Sequence, residues 1–503
     1  MKKISSLFLM LFAMSAVMLS ACSDDSNPNP LAESNGTLNI STTELSFGVD
    51  GGDAVFTVNG GTAFVRSEAD WLTVSRVSGD KKSSSFSVLC DKNTGEERQG
   101  TILANLDGAF ARISVTQAGK IIKPEESYTF RTAKEIAKDM YPGWNLGNTM
   151  EATGDGLGAE TAWQKTKTTQ EVIDYVKSQG FKSVRIPCSW YIHSNNGKID
   201  AEWMARVKEV VDYCINAGLY VVLNDHYDGG WIEVEGFTMS TDKYVKVDDA
   251  RIEEKSTMLK TLWTQIANAF QNYDEHLLFA GLNEPFQSYD LFNGRHEELT
   301  PVLLKYNQAF VDAVRATGGN NANRTLVVQG PATNIASACE SYFTLPTDAA
   351  EKRMMVEVHF YDPWNFCLLS DDNAVWFWGE GNKGSGHNPT YNGNESAVKS
   401  AMQQLNQKFY ANGVPVILGE YGAQWREIGD EQALHDKSVT AWYKSVVAEA
   451  GNNGVVPMVW DINAPNREGE KGTMTIIDRK NKSIFNQPAL DGITEGVKAS
   501  VWK

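Results

Sequence analysis

The sequence predicts a (β/α)8 TIM barrel preceded by a small β-sandwich, an α/β architecture, and three observations carry that expectation. From residue 128 onward, eight apolar runs of strand length alternate with segments of helical period. Between residues 37 and 120, short β-rich runs follow one another with no helix-length segment between them. The residues that close the strand runs of the second part are polar and of catalytic type, and barrel enzymes keep their chemistry at the C-terminal strand ends. At 503 residues the chain has room for two or three domains.

The N-terminus has the pattern of an export signal, residues 1–21. Lys2-Lys3 give its positive end, and Leu7 to Leu19 give an apolar stretch too short to span a bilayer. Leu19-Ser20-Ala21-Cys22 resembles the lipobox of bacterial lipoproteins, which implies lipidation of Cys22. Ser23-Asp24-Asp25 resembles the surface-export signal of Bacteroidetes lipoproteins. The expectation is a lipid anchor in the cell outer membrane with the body of the protein surface-exposed. Residues 22–36, rich in Ser, Asn, Asp and Pro, suit a flexible tether. The other five cysteines are scattered, without metal-site spacing or a disulfide framework.

Residues 37–120 carry the runs LNIS, LSFGV, AVFTVNG, WLTVSRVSG, SFSVLC, GTILANL and ARISVTQAG, punctuated by Gly, Asn and Asp. Short strands at such spacing suit a sandwich. Ala69-Asp70-Trp71-Leu72-Thr73-Val74, Arg98-Gln99-Gly100-Thr101-Ile102 and Ile113 to Gly119 together resemble the BACON domain, an immunoglobulin-like module found ahead of bacteroidal carbohydrate enzymes. A spacer role is expected for it, with glycan binding as the alternative.

A linker, 121–127, carries Pro124 and leads to the barrel, 128–503. The eight strand runs are Gly143–Leu146, Ser183–Ile186, Tyr220–Asn224, Leu277–Leu282, Thr325–Gln329, Met354–His359, Pro415–Gly419 and Val455–Trp460. Amphipathic segments separate them: Thr169–Ser178, Ala201–Ala217, Arg251–Tyr273, Leu299–Arg315, Ser396–Tyr410 and Glu431–Ala448, with only weak helical character across Thr333–Leu345. An open doubly wound sheet lacks support, because no Gly-rich phosphate turn follows the first strand.

The strand ends form a coherent list. The second strand holds Arg185, the third ends in Asn224-Asp225-His226-Tyr227, and the fourth in Asn283-Glu284-Pro285. The sixth ends in His359-Phe360-Tyr361, the seventh in Glu420-Tyr421 and the eighth in Trp460-Asp461. Barrel geometry converges them on one mouth. Two carboxylates on opposite walls are what glycosidic cleavage needs, one to give a proton and one to attack the anomeric carbon. Arg185 and a Tyr361 hydroxyl would hold Glu420 ionised. Glu284, between an apolar strand and Pro285, has the less cationic setting, which suits the proton donor. Asn283 is placed to bond a sugar 2-hydroxyl, and Trp460 to floor the ring being cleaved.

Asn283-Glu284-Pro285, Gly419-Glu420-Tyr421-Gly422, Val184-Arg185-Ile186-Pro187, His226, His359 with Tyr361, and Trp460 resemble glycoside hydrolase family 5. Gly143-Trp144-Asn145-Leu146-Gly147-Asn148-Thr149 with Glu160-Thr161-Ala162-Trp163 resembles its subfamily 4 of endo-β-1,4-glucanases. One departure is visible, Gln164-Lys165 where the subfamily commonly has Gly-Asn-Pro. The resemblance implies a retaining mechanism with Glu284 as acid/base and Glu420 as nucleophile. It also implies substrate binding by Asn145, Arg185, His226, Asn283, His359, Tyr361 and Trp460, and neither metal nor other cofactor. The implied partner is a β-glucan polysaccharide, xyloglucan first, met by a monomer alongside surface glycan-binding proteins.

Composition agrees with a neutral polysaccharide. A net charge of −17 argues against nucleic acid and anionic membrane surfaces as partners. With 14 Trp and 17 Tyr the chain has flat rings to spare for the apolar faces of sugars. The loop from Phe366 to Tyr391, with Trp376 and Trp378 and with Trp364 beside it, is expected either to offer a platform for a bulky chain or to pack on the rim. A metal-dependent barrel hydrolase would want His-x-His after the first strand, which is absent, and His296-Glu297 lacks the second His of a zincin motif, Thr300 standing in its place. Cellulose or mixed-linkage glucan are alternative substrates. A non-catalytic glycan-binding lipoprotein is the rival from another class, opposed by the presence of both carboxylates.

Overall fold

In the computed structural model the described residues are 38–49, 51–93, 95, 98–119, 129–233, 249–286, 296–389, 393–465 and 472–502. The export signal, Cys22, the tether, the linker and residues 390–391 of the Trp-bearing segment lie outside them. The chain divides into two units, Met1–Ile121 and Ile122–Lys503.

The first unit is a sandwich of two sheets. Strands β1 (Glu44–Phe47), β7 (Ala109–Gln117), β6 (Arg98–Leu106) and β3 (Phe64–Ser67) form one sheet in that order; β2 (Gly52–Asn59), β5 (Ser83–Cys90) and β4 (Leu72–Gly79) form the other. Alternation builds the core: Ser84, Phe86, Val88 and Cys90 of β5 turn inward with Phe56 and Val58 of β2. They meet Ile102 and Ala104 of β6 and Ile113 and Val115 of β7. Two details differ from the sequence expectation. LNIS makes only an isolated bridge, Ile40 to Val58, and β3 is an additional strand. With four residues, paired to β6 alone and Phe64 left exposed, β3 has too little pattern to be read.

The second unit is a closed barrel of eight parallel strands in chain order. They are Gly143–Asn145, Ser183–Ile186, Tyr220–Asn224, Leu277–Ala280, Leu326–Gln329, Met354–Phe360, Val416–Tyr421 and Val455–Val459, all eight of the expected runs. Their continuous apolar character follows from burial on both faces. Outward residues such as Val221, Leu277, Phe279, Val356 and Leu418 pack under the helices. Inward residues Val222, Leu278, Val327, Met355, Ile417 and Val456 make one layer inside.

That inner layer is closed from below by helix Ala133–Asp139, whose Ala133, Ile136 and Ala137 pack against it with Met140 just beyond. Thr132 and Glu135 form a capping box that starts this helix. The outer helices begin on similar signals, Thr169 capping Gln170–Ser178 and Asp200 capping Ala201–Asn216. A last helix, Gln487–Ala499, packs on helix Gln432–Asn452, so closely that a side chain at Gly492 would meet the Thr440 carbonyl at 2.5 Å.

Higher along the barrel, five of the eight strands turn polar on their inward face, while Ala280 and Met458 stay apolar. Asn145, Arg185, Asn224, Gln329, Glu357 and Gly419 form the next layer, and every one of the polar side chains is fully buried. This is the floor of the site.

Candidate active site

Strand period alone brings the site residues to one face. Met355, Glu357 and His359 are successive inward positions of the sixth strand, all buried. The seventh strand needs a correction to that period. Val358 pairs with Leu418 but His359 pairs with Glu420, so Gly419 is the extra residue of a bulge. The bulge re-aims Glu420 into the mouth. Gly419 carries no side chain because a Cβ there would lie 1.9 Å from Glu357 Oε1.

Arg185 is the hub. It is wholly buried, and its guanidinium reaches four partners: Nε lies 2.8 Å from Glu357 Oε1, Nη1 donates to Asn145 Oδ1 (3.1 Å) and Glu420 Oε1 (3.2 Å), and Nη2 donates to Asn283 Oδ1 (2.6 Å). Asn145 is fixed in turn by donating to the carbonyls of Gly419 (2.8 Å) and Met458 (2.9 Å). Glu357 also accepts from Gln329 Nε2 at 2.8 Å, and Gln329 Oε1 accepts the Leu282 N–H. Although burial pushes the Glu357 carboxyl up, Arg185 and His359 hold it below its ordinary value.

Glu420 receives a second donor, the Tyr361 hydroxyl, on Oε2 at 2.9 Å. Burial, with the nearby Glu284, leaves its carboxyl above the ordinary value although His359, Arg185 and the Tyr361 hydrogen bond pull the other way, so the expected hold by Arg185 and Tyr361 is outweighed by desolvation. Burial and then Glu420 push the Tyr361 hydroxyl well above its usual range, so it stays a donor. Glu284 faces His359, whose Nδ1 is 2.6 Å from Oε1; the other ring nitrogen is 3.3 Å from Glu357 Oε1. Burial alone would keep that imidazole neutral, but the carboxylates of Glu420, Glu284 and Glu357 push it up to about 10. The less cationic setting expected for Glu284 is therefore corrected: its partner is a buried imidazole held toward its charged form.

Glu284, His359 and Glu420 each offer an atom, and these atoms lie within 4.8 Å of one another. The same trio has the residue types of a metal site. A dication there would face the Arg185 guanidinium on Glu420 and a protonated His359, so the cluster supplies its own positive charge.

Around this centre, His226 lies with Nε2 3.9 Å from Glu420 Oε1, too far for a hydrogen bond, and its Nδ1 is 3.2 Å from Asn224 Nδ2. Burial, then the positive Arg185 and His359, hold it well below its usual value, hence neutral. Its ring is parallel to Trp460, centroids 5.8 Å apart. A cavity opens over the carboxylates between His226, Tyr227, Ile232, Glu233, Leu282, Asn283, Glu284 and Pro285.

All nine barrel residues singled out from sequence thus gather at one mouth. Two of them do not reach a ligand. Asn145 and Arg185 have no exposed surface, so the expected sugar contact is replaced by positioning of Glu420, Asn283 and Glu357. Sequence reasoning missed Glu357 and Gln329, and named Asn224 only as a strand end. A charge within MMVEVHF, two residues before His359, was the available signal for Glu357, since no strand buries a carboxylate without a partner. Gln164, at the departure from the subfamily pattern, is buried and ties the first loop to the eighth. It accepts from Asn463 Nδ2 at 2.9 Å and donates to the carbonyls of Glu160 and Thr166. In the Trp-bearing segment, Trp378 is packing, Trp376 stacks on His387, and Trp364 is 60% exposed.

Comparison with known proteins places this geometry among relatives. A family model described as Cellulase (glycosyl hydrolase family 5) matches residues 149–466, and one described as Viral BACON domain matches residues 37–120. Endoglucanase A of Paenibacillus barcinonensis is 35% identical over 387 residues, 73% of this chain and 90% of that protein. The xyloglucan-specific endo-beta-1,4-glucanase BoGH5A of Bacteroides ovatus is 32% identical over 455 residues, 86% of each. Among solved structures, a xyloglucan-specific beta-1,4-glucanase from a ruminal metagenomic library, in complex with XXLG, is 58% identical with a TM-score of 0.70, covering 74% of this chain and 98% of its own. A Bacteroides ovatus xyloglucanase in complex with a XXXG heptasaccharide is 30% identical with a TM-score of 0.64, covering 92% and 100%.

Proposed function

The chain belongs to glycosyl hydrolase family 5, and from that premise we propose that it is a retaining endo-β-1,4-glucanase acting on a plant cell-wall glucan, xyloglucan first. The observation that carries the mechanism is the pair of carboxylates with oxygens within 4.8 Å and unequal partners. Retaining enzymes keep the two groups about 5–5.5 Å apart, whereas inverting enzymes leave about 6.5–9.5 Å for a water.

In this scheme Glu420, held by Arg185 and Tyr361, attacks the anomeric carbon. The bond to the leaving oxygen breaks as that oxygen takes the proton from Glu284. A water then gives its proton back to Glu284 while its oxygen displaces Glu420 from the sugar. Asn283 has its Oδ1 committed to Arg185, which leaves its amide hydrogens for the sugar 2-hydroxyl. His359, with Nδ1 2.6 Å from Glu284 Oε1, is placed to steady that residue when it becomes anionic.

Xyloglucan as first substrate is supported by two related structures whose ligands are the oligosaccharides XXLG and XXXG. A product profile on xyloglucan, barley β-glucan and carboxymethylcellulose tests both levels of the reading. Oligosaccharides with a β-configured new end, formed fastest from xyloglucan, are expected. Preference for either other polymer overturns the substrate, and binding without products overturns the enzyme. The proposal extends to location: Cys22 anchors the chain in the outer membrane and the β-sandwich serves as a spacer. A Cys22→Ala variant that remains membrane-bound contradicts the anchor.

A further inference from the structure

The turn that carries Glu284 is braced from behind by a residue that the scheme above does not use. Phe286, two positions after Glu284, has a left-handed backbone with φ of 61°. That conformation is uncommon for a bulky residue and persists only where surroundings over-determine it. Its side chain is fully buried beside Tyr306, ring centroids 6.1 Å apart. Its N–H is shared between both carboxylate oxygens of Glu233, at 3.1 and 3.2 Å. On the opposite side, the Pro285 carbonyl accepts the N–H of Ala332 at 3.1 Å, and Ala332 and Thr333 are themselves left-handed, both with φ of 47°.

Three strained non-glycine residues therefore lie around Pro285, and among the described residues the side-chain acceptor that holds the Phe286 N–H is Glu233. It comes from the loop after the third strand and lines the cavity beside Glu284. A carboxylate there works against its setting. Its partial burial pushes it up to about 7 and Glu284 adds to that, while the Phe286 N–H and Lys255 oppose the push.

We propose that Glu233 is a positioning residue for the proton donor: by holding the Phe286 N–H it fixes Glu284 against His359, where the leaving oxygen must receive its proton. The inference rests on the reading of Glu284 as proton donor. A displaced donor slows cleavage only where the leaving group needs a proton, and a general acid contributes about 10²–10⁴-fold. A dinitrophenolate leaves without one.

The test compares kcat/KM of Glu233→Ala and wild type on a glucan oligosaccharide and on a 2,4-dinitrophenyl cellotrioside. The expected result is a loss of about tenfold or more on the first substrate and less than about threefold on the second. Glu233→Gln, whose amide oxygen still accepts the N–H, is expected to restore most of the loss. Equal losses on both substrates, or no loss, overturn the proposal. If the alanine variant does not fold, Glu233→Met, of similar length without an acceptor, takes its place. Failure of that variant too marks Glu233 as structural and equally overturns the proposal. A Glu284→Ala control separates the two readings: it must show the same substrate split more strongly, and if it does not, the proton-donor assignment fails instead.

Discussion

The carboxylate of Glu357 occupies the place where a side chain at position 419 would be: a Cβ on Gly419 would sit 1.9 Å from Glu357 Oε1. The bulge residue beside Glu420 and the buried acid that braces Arg185 are therefore linked, since Glu357 has room only while position 419 carries no side chain. Gly419→Ala is expected to push Glu357 off Arg185, costing about 1–3 kcal/mol as overpacking and lowering kcat at least about tenfold through the displaced nucleophile. Denaturant unfolding and initial rates measure the two effects. Unchanged stability would mean that Glu357 can move aside freely.

Arg185 is the only cation in direct contact with the Glu420 carboxylate at hydrogen-bond distance among the described residues. Arg185→Met leaves Glu357 and Glu420 buried without it, and breaking a buried pair in this way costs about 3–5 kcal/mol. Activity is expected to fall at least about a hundredfold, because Glu420, the carboxylate proposed to attack, loses its electrostatic support. A variant with near-normal rate would show that Tyr361 and His359 suffice.

His359 gives a pH dependence with a definite sign. Its folded-state value lies at about 10, raised from the ordinary 6.5 by its carboxylate neighbours against the effect of burial. The stabilisation is fully present below about pH 6.5 and is lost as pH rises through about 10. Thermal melting of the wild type is expected to fall across that window more steeply than that of His359→Gln. Parallel curves would mean that the imidazole is neutral in the folded protein.

Arg185 and His359 already balance the carboxylates, so hydrolysis is expected to survive dialysis against EDTA without loss. Inactivation by the chelator with recovery on adding a divalent ion would assign Glu284, His359 and Glu420 to a metal instead.

Much of this site was legible as a sequence because the barrel strands are period-two objects whose ends converge. Arg185, Glu284, His359 and Glu420 could be placed at one mouth from strand position alone. What did not show was depth. Asn145 and Arg185 differ from Asn283 and Tyr361 only in height along the barrel axis, and strand length by itself does not fix which layer meets the solvent. The bulge at Gly419 was equally hidden, since a one-residue slip in pairing leaves no mark on a continuous apolar run. Strand β3 and helix Gln487–Ala499 were lost for a simpler reason. The first is four residues long, and the second carries Gly492 and Gly496 where its helical period is expected to be apolar.

The central claim, that Glu420 attacks and Glu284 gives the proton, is tested most directly by trapping the covalent intermediate. A 2-deoxy-2-fluoro cellotriosyl fluoride slows the second step, and mass spectrometry of a peptic digest then locates the sugar. The account predicts one added fluorocellotriosyl group on the peptide containing Glu420, ester-linked to that residue. A label on Glu284, or turnover without any label and with inversion at the anomeric carbon, would contradict it.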